Sequence, residues 1–166
     1  RNKKKLLKLK KYDEVYHLAF INGTENFYKY PEKVLDVGIN GIINIIEYVK
    51  SKKIKKFIMF SSSEVYGTPT KIPTDEKEMI KIEDIHNPRF SYSASKIISE
   101  SVTINYLRGT DIQYKIIRPH NIFGENMGFK HVIPQILYKI YNSTNKFKKN
   151  RAKIIIQGNG NETRSF

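Results

Sequence analysis

The chain has 166 residues, no cysteine and a formal net charge of +14. A hydrophobic content of 39% is typical of a globular protein, and the missing cysteines exclude disulfides and thiolate metal sites, which fits a cytoplasmic location. The charge alone would suit nucleic acid, but the lysines do not cluster with aromatic residues and glycines as an RNA-binding motif requires. No apolar stretch has the length that a bilayer needs. We therefore expect neither a nucleic-acid partner nor a membrane.

The predicted elements alternate between short apolar segments and longer segments with helical spacing. In chain order they are a strand over 13–20, a helix over 31–52, a strand over 55–60, a helix over 91–109, a strand over 112–118, a helix over 131–143 and a strand over 153–158. In the helix over 91–109, one stripe contains Ile97, Ser101, Ile104 and Arg108. A long polar loop over 67–90 and a lysine-rich connection over 142–153 complete the pattern. This alternation predicts an α/β fold with a parallel sheet flanked by helices.

Three serines and a glutamate follow the strand over 55–60, in the sequence KKFIMFSSSEVYG. Ligands of parallel α/β sheets bind outside the carboxyl ends of the strands, so we expect Ser62 and Glu64 to lie where a ligand is handled. Tyr92 and Lys96 begin the following helix and share one of its faces. A lysine ammonium beside a tyrosine favours the phenolate and lowers the tyrosine pKa. Such a pair can take a proton from an alcohol while a hydride leaves the same carbon.

The order of these motifs resembles the extended short-chain dehydrogenase/reductase family, which includes NAD-dependent nucleotide-sugar epimerases, dehydratases and decarboxylases. The resemblance rests on the serines at a strand end, then VYG, YSASK and RPHNIFG, with VYHLAF and GINGIINIIEY upstream and IIIQGNGNETRSF downstream. It implies an incomplete Rossmann-like NAD(P)-binding domain over 1–124 and the start of a smaller substrate-binding region over 125–166. No glycine-rich loop precedes YDEVYHLAF. We therefore expect an internal fragment that lacks this N-terminal loop, binds NAD weakly by itself and is inactive alone.

By this resemblance, Tyr92 is the catalytic base, Lys96 activates it and holds the nicotinamide ribose, and Ser62 is the catalytic serine. Glu64 resembles the glutamate that dehydratases and decarboxylases use at carbon 5 of the sugar; the alternative is that it caps a turn. The cofactor-binding candidates are Leu18, Ala19, Phe20, Ser62, Tyr92, Lys96, Pro119 and His120. The substrate-binding candidates are Ser63, Asn121, His131, Val132, Ile155, Gln157 and Arg164. Three positions depart from the family: Gly38 replaces its usual asparagine, Ile42 replaces its threonine, and Phe20 replaces a small residue beside the cofactor.

The resemblance implies an NAD(P)-dependent nucleotide-sugar epimerase or dehydratase that acts through transient oxidation of sugar carbon 4. NAD is the expected cofactor, with NADP as the alternative, and a nucleotide-diphosphate sugar is the expected partner. A homodimer through a four-helix bundle, formed by the helices around 31–50 and 89–108, is the expected assembly. A decarboxylase of the same family and a non-catalytic nucleotide-binding relative are the alternative functions. The four histidines are scattered, so we expect no metal site.

Overall fold

A computed structural model describes residues 2–129, 131–147, 154–156 and 158–160, with side chains undescribed at 145–147. The chain divides into two compact units, Arg1–Pro119 and His120–Phe166. The helices of the first unit are α1 (Lys3–Leu7), α2 (Thr24–Lys29), α3 (Pro31–Ser51) and α4 (Ser91–Leu107), and its strands are β1 (Glu14–His17), β2 (Lys56–Phe60) and β3 (Gln113–Ile117). Short 3₁₀ helices span Ser63–Tyr66 and Pro88–Phe90.

The three strands form one parallel sheet in the order β1-β2-β3. Val15 pairs with Phe57, and Met59 pairs with Ile116, so β2 is hydrogen-bonded on both sides. The predicted α/β class with a parallel sheet flanked by helices is therefore confirmed. β1 is shorter than the segment predicted over 13–20, because its pairing with β2 ends at His17.

The core of the first unit lies between the sheet and the two long helices. α3 begins at Pro31, where a proline costs no helical hydrogen bond, and carries Lys50 in its last turn. Its buried residues pack against β2 and against Leu107 of α4. The central cluster contains Ile42, Ile46, Tyr48, Val49, Ile54, Phe57, Met59 and Leu107. This cluster fixes α3 and α4 against the sheet and so sets the position of the residues that begin α4.

The second unit contains α5 (Val132–Phe147). The helix continues past the end predicted at 143, so the first part of the lysine-rich segment is helical and not a connection. No proline or glycine interrupts it there, and the Thr144 hydroxyl donates to the Ile140 carbonyl. The strand predicted over 153–158 is absent at 154–156, the part of it that the structure describes without a gap.

Candidate active site

The end of β2 is fixed by backbone hydrogen bonds that continue beyond the strand. The Ser61 amide donates to the Ile117 carbonyl at 2.7 Å, and the Ser63 amide donates to the Pro119 carbonyl at 3.0 Å. Ser62 is buried between them, and its side chain accepts from the Glu64 amide at 3.2 Å. The serine hydroxyl therefore caps a 3₁₀ turn while it faces the carboxyl edge of the sheet.

Tyr92, in the first turn of α4, lies against Ser62. The Ser62 side chain lies close enough to the tyrosine hydroxyl to affect its pKa. Phe27 stacks on the tyrosine ring with centroids 4.9 Å apart, and Phe20 meets it edge-on at 5.2 Å. Burial raises the pKa of Tyr92, the Ser62 side chain opposes this rise, and the negative charge of Glu64 adds to it.

Lys96, one turn further along α4, is buried. Its ammonium donates to the Phe60 carbonyl at 2.7 Å and lies 4.1 Å from the centroid of the Phe20 ring. Burial lowers the pKa of Lys96 to about 8, and the charge of Glu100 partly opposes this. The ammonium is 5.7 Å from the centroid of the Tyr92 ring.

The expected effect of the lysine on the tyrosine is not what the structure shows. The sequence argument predicted that Lys96 lowers the pKa of Tyr92, but that pKa is raised. The physical reason is burial: the rings of Phe20 and Phe27 pack against the tyrosine, so the charged phenolate loses hydration. The lysine ammonium is meanwhile directed at the Phe60 carbonyl.

Glu64 is paired with an arginine that sequence reasoning did not identify. Arg89 Nη2 lies 3.0 Å from Glu64 Oε1, and both side chains are partly buried. Glu64 is also the second residue of the 3₁₀ turn that Ser62 caps. The two proposals for this residue, turn former and acid–base group, are therefore compatible in the structure. The arginine lies in the PRF segment just before Tyr92, which is the only sequence signal that pointed to it.

A second ion pair, between Glu100 and Arg118, connects α4 to the ends of β2 and β3. Glu100 is buried on α4 and accepts from Arg118 Nε at 2.9 Å and Nη2 at 2.6 Å, and also from the Ser61 hydroxyl. Arg118 further donates to the Tyr66 hydroxyl at 3.0 Å. This network ties the end of β3 to the residues on both sides of Ser62. Sequence reasoning missed it, because nothing in the spacing links residue 100 to residue 118.

The remaining candidates of the first unit line the same edge of the sheet or lie beside it. Leu18 is 58% exposed, Ala19 is exposed, and Phe20 turns inward onto Lys96 and Gly38. Ser63 is half-buried and begins the 3₁₀ turn, while Pro119 contributes the carbonyl that receives its amide. The structure thus brings Ser62, Tyr92 and Lys96 together, with Phe20 against the last two.

The candidates of the second unit occupy a different setting. His120, Asn121, His131, Val132 and Ile155 all belong to that unit. His131 precedes α5, with its amide donating to the Gly128 carbonyl, and the Ile155 carbonyl accepts from Lys139 Nζ at 3.0 Å. Near the start of α5 an apolar cavity is lined by residues that include Phe123, Met127, Phe129 and Tyr138. Gln157 and Arg164 lie outside the described residues.

Comparison with known proteins decides the family. The family model described as NAD dependent epimerase/dehydratase matches residues 1–166. The chain belongs to this family. A putative UDP-glucose 4-epimerase of Methanocaldococcus jannaschii is 33% identical over 161 residues, covering 96% of this chain and 49% of the relative. A dTDP-D-glucose 4,6-dehydratase of Dictyostelium discoideum is 30% identical over 161 residues, covering 94% and 35%.

Other relatives of this chain have names that describe a different activity. UDP-glucuronic acid decarboxylase 4 of Arabidopsis thaliana is 27% identical over 160 residues, covering 93% of this chain and 33% of the relative. Among solved structures, a UDP-N-acetylglucosamine 4-epimerase from Methanobrevibacter ruminantium M1, in complex with UDP-N-acetylmuramic acid, has a TM-score of 0.70 at 28% identity, covering 86% of this chain and 44% of that chain. The chain thus spans between a third and a half of the length of the curated relatives named here.

The donor set at the sheet edge fits the nicotinamide-ribose end of the dinucleotide that the family name implies. An ammonium and two hydroxyls, from Lys96, Tyr92 and Ser62, lie at the carboxyl end of a parallel sheet, and such groups suit ribose hydroxyls and a reacting alcohol. In the described part of the chain, no group of three His, Cys, Asp or Glu residues is arranged to hold a metal ion. Nor does any of its described helices have the length and hydropathy to cross a bilayer.

Proposed function

We propose that the full-length protein is an NAD(P)-dependent nucleotide-sugar epimerase or dehydratase that oxidises carbon 4 of the sugar transiently. The observation that carries this proposal is the convergence of Ser62, Tyr92 and Lys96 at the carboxyl end of β2. The family membership and the nucleotide-sugar enzymes among the relatives support it. NAD is the proposed cofactor, with NADP as the alternative.

In the proposed mechanism, Tyr92 takes the proton of the sugar 4-hydroxyl and Ser62 holds that hydroxyl by a hydrogen bond. Bound NAD would supply a hydride acceptor for carbon 4 and a positive charge that favours the tyrosine phenolate. Lys96, already fixed by the Phe60 carbonyl, would hold the ribose hydroxyls. Burial raises the pKa of Tyr92, so a positive charge placed near its hydroxyl would favour deprotonation.

Glu64 is the proposed base for the second step of the reaction, removal of the proton on carbon 5. A ketone at carbon 4 makes the proton on carbon 5 acidic, and a carboxylate can remove it. Loss of water from carbon 6 would then give dehydration, and return of the proton to the other face of carbon 5 would give epimerisation. In both cases the hydride taken from carbon 4 would return to the sugar, at carbon 6 after dehydration and at carbon 4 after epimerisation. Glu64 lies in the turn that follows Ser62, and its charge raises the pKa of Tyr92, which supports placing both groups at one sugar.

A decarboxylase is the second candidate. It would use the same oxidation of carbon 4 on a uronic-acid sugar, where the carboxyl group leaves as carbon dioxide. The plant UDP-glucuronic acid decarboxylase among the relatives favours it. The two functions differ in the substrate consumed and not in the roles of Tyr92 and Lys96.

Two further assignments belong to the same proposal. We propose that residues 1–124 form the cofactor-binding domain and that residues 125–166 begin the substrate-binding region. The nucleotide-diphosphate sugar would then contact Asn121, His131, Val132, Ile155, Gln157 and Arg164. We also propose a homodimer in which the outer faces of α3 and α4 meet those of a second copy.

The test is incubation of the full-length protein with NAD or NADP and with UDP-glucose, dTDP-glucose or UDP-glucuronate in D2O. Mass spectrometry and NMR identify an epimer, a dehydrated sugar or a decarboxylated sugar. Tyr92→Phe should lower turnover by about 10² to 10⁴, as expected for loss of a general base. Tyr48→Phe is the matched control, because Tyr48 and Lys52 have the same spacing but the Tyr48 hydroxyl donates to the Lys10 carbonyl. A non-catalytic relative would bind these sugars and leave all three unchanged.

A further inference from the structure

Arg89 has contacts that stability alone does not explain. Its Nη2 binds Glu64 Oε1 at 3.0 Å, and its guanidinium carbon lies 6.0 Å from the centroid of the Phe27 ring. Its Nη1 is buried, with no hydrogen-bond partner in the described part of the chain. Burying a guanidinium with an unsatisfied nitrogen costs free energy, and such ion pairs are often replaceable by apolar residues without loss of stability. A group kept at this cost points to a role at the site.

The position of the pair relative to Tyr92 indicates the role. The Phe27 ring stacks on the Tyr92 ring, and the Arg89 guanidinium contacts the same Phe27 ring. Arg89 therefore contacts the carboxylate directly and the base only through the Phe27 ring. Without a counter-ion, the Glu64 carboxylate would oppose formation of a second negative charge on the tyrosine.

We propose that Arg89 is a positioning residue that holds the Glu64 carboxylate and masks its charge from Tyr92, so that two acid–base groups can act at one sugar. This inference rests on the proposed function, because it assigns the arginine to the same pair of groups. The guanidinium does not touch the reacting atoms. It acts through Glu64, which it orients by one charge-assisted hydrogen bond.

The charged groups around this cluster are few. Tyr92 faces Glu64 from the 3₁₀ turn and Lys96 from its own helix. Arg89 faces Glu64 and, in the long loop, Glu83, whose pKa is lowered chiefly by hydrogen bonds from Thr68 and to a smaller extent by nearby cations that include Arg89. Since Glu64 raises the pKa of Tyr92, removing Arg89 should raise it further, and removing the Glu64 charge should lower it.

The test follows the ionisation of Tyr92 without cofactor. Full-length protein is labelled with [ζ-¹³C]tyrosine, the Tyr92 resonance is assigned by its loss in Tyr92→Phe, and its chemical shift is titrated with pH. Arg89→Met should move the midpoint up, and Glu64→Gln should move it down, each by about half to one pH unit for a partly buried pair. In Arg89→Lys the midpoint should stay near that of the original protein, because lysine keeps the positive charge. Arg108→Met, at the exposed end of α4, is the control and should cause no movement.

The outcomes separate this inference from the proposed function. The double variant Arg89→Met with Glu64→Gln should titrate like Glu64→Gln alone, since no charge is left to mask. Unchanged midpoints in both Arg89→Met and Arg89→Lys would overturn the inference, even where Tyr92→Phe abolishes turnover. Conversely, full turnover in Tyr92→Phe would overturn the proposed function and leave the titration result intact. If Arg89→Met does not fold, the midpoints of Tyr92 in Glu64→Gln and Arg89→Lys are compared with that of the original protein. No shift of the midpoint in Glu64→Gln contradicts the proposal.

Discussion

The ring of Phe20 fills the space that a side chain at Gly38 would need. A Cβ atom at Gly38 would lie 2.8 Å from Phe20 Cζ and 2.6 Å from Ser95 Cβ. Two of the three positions that the resemblance identifies as departures from the family pattern, Gly38 and Phe20, are therefore in contact. An aromatic ring beside Lys96 is accommodated because the facing residue of α3 has no side chain. The two departures form one structural change in the wall of the candidate cofactor site.

This contact predicts the effect of adding one methyl group. Gly38→Ala should destabilise the protein by about 1–3 kcal/mol, because α3 and α4 must separate to remove the clash with Ser95. Gly41→Ala is the matched control on the same helix. Nothing lies within 4 Å of a Cβ there, so it should stabilise by about 0.5–1 kcal/mol through helix propensity. Urea unfolding measures both. Equal stability of the two variants would contradict the close packing of α3 on α4.

The buried ion pair below the site predicts a large loss on removal of one partner. The Glu100 side chain is 3% exposed, and Arg118→Met leaves its carboxylate with the Ser61 hydroxyl as its remaining described hydrogen-bond donor. This variant should lower the free energy of unfolding by about 3 kcal/mol. Asp13→Asn breaks the exposed pair between Lys55 and Asp13 and should cost less than about 1 kcal/mol. Thermal unfolding of the full-length protein compares them. Equal small losses of stability in both variants would contradict a strongly stabilising ion pair between Glu100 and Arg118.

His17 predicts a pH dependence of stability. Burial, and then the charge of Lys96, lowers the pKa of His17 from 6.5 to about 4. Between these values the unfolded chain binds a proton that the folded protein does not, so the free energy of unfolding falls as the pH is lowered from 6.5 to 4. The loss should be about 1–3 kcal/mol for this half-buried ring. His17→Gln should flatten this part of the curve, whereas His86→Gln, in the exposed loop, should leave it unchanged.

The proposed dimer predicts the mass of the protein in solution and the effect of a substitution in the dimer interface. Ile98 and Ile104 on the outer face of α4 are 37% and 36% exposed, which leaves apolar area for a partner helix. Light scattering at micromolar concentration should give twice the monomer mass. Ile104→Glu should shift the protein toward monomer, while Met79→Glu in the exposed loop should not. A full-length protein that is monomeric at these concentrations rules this assembly out.

Much of the fold could be predicted from sequence, since long periodic segments carry strong signals. β2, α3 and the serines at the end of β2 all lie where the pattern placed them. The short helices α1 and α2 were missed. α1 is lysine-rich, and its Leu6 and Leu7 pack against the core only through tertiary contact. Local sequence does not encode such contacts strongly.

The buried face of α4 was the least predictable feature. The apolar stripe through Ile97 and Ile104 is half-buried or exposed, whereas Ser95, Ser99 and Thr103 are fully buried. Each of these hydroxyls donates to a carbonyl of its own helix, at 2.7–2.8 Å, so burial leaves no donor unpaired. Small hydroxyl residues then permit close packing against Gly38. The partners of Glu64 and Glu100 were also unpredictable, because they lie 25 and 18 residues away along the chain.

The position of β2 has a consequence for the motions of the site. In the described part of the chain β2 is bonded on both sides, whereas β1 and β3 are each bonded on one. Amide hydrogens of β2 should therefore exchange with solvent more slowly than those of β1. Ser61 and Ser62 extend directly from the slow strand, while Leu18, Ala19 and Phe20 extend from the faster one. The residues that would hold the reacting alcohol are thus attached to the strand expected to exchange slowly, and the proposed cofactor-binding residues are attached to the strand expected to exchange faster.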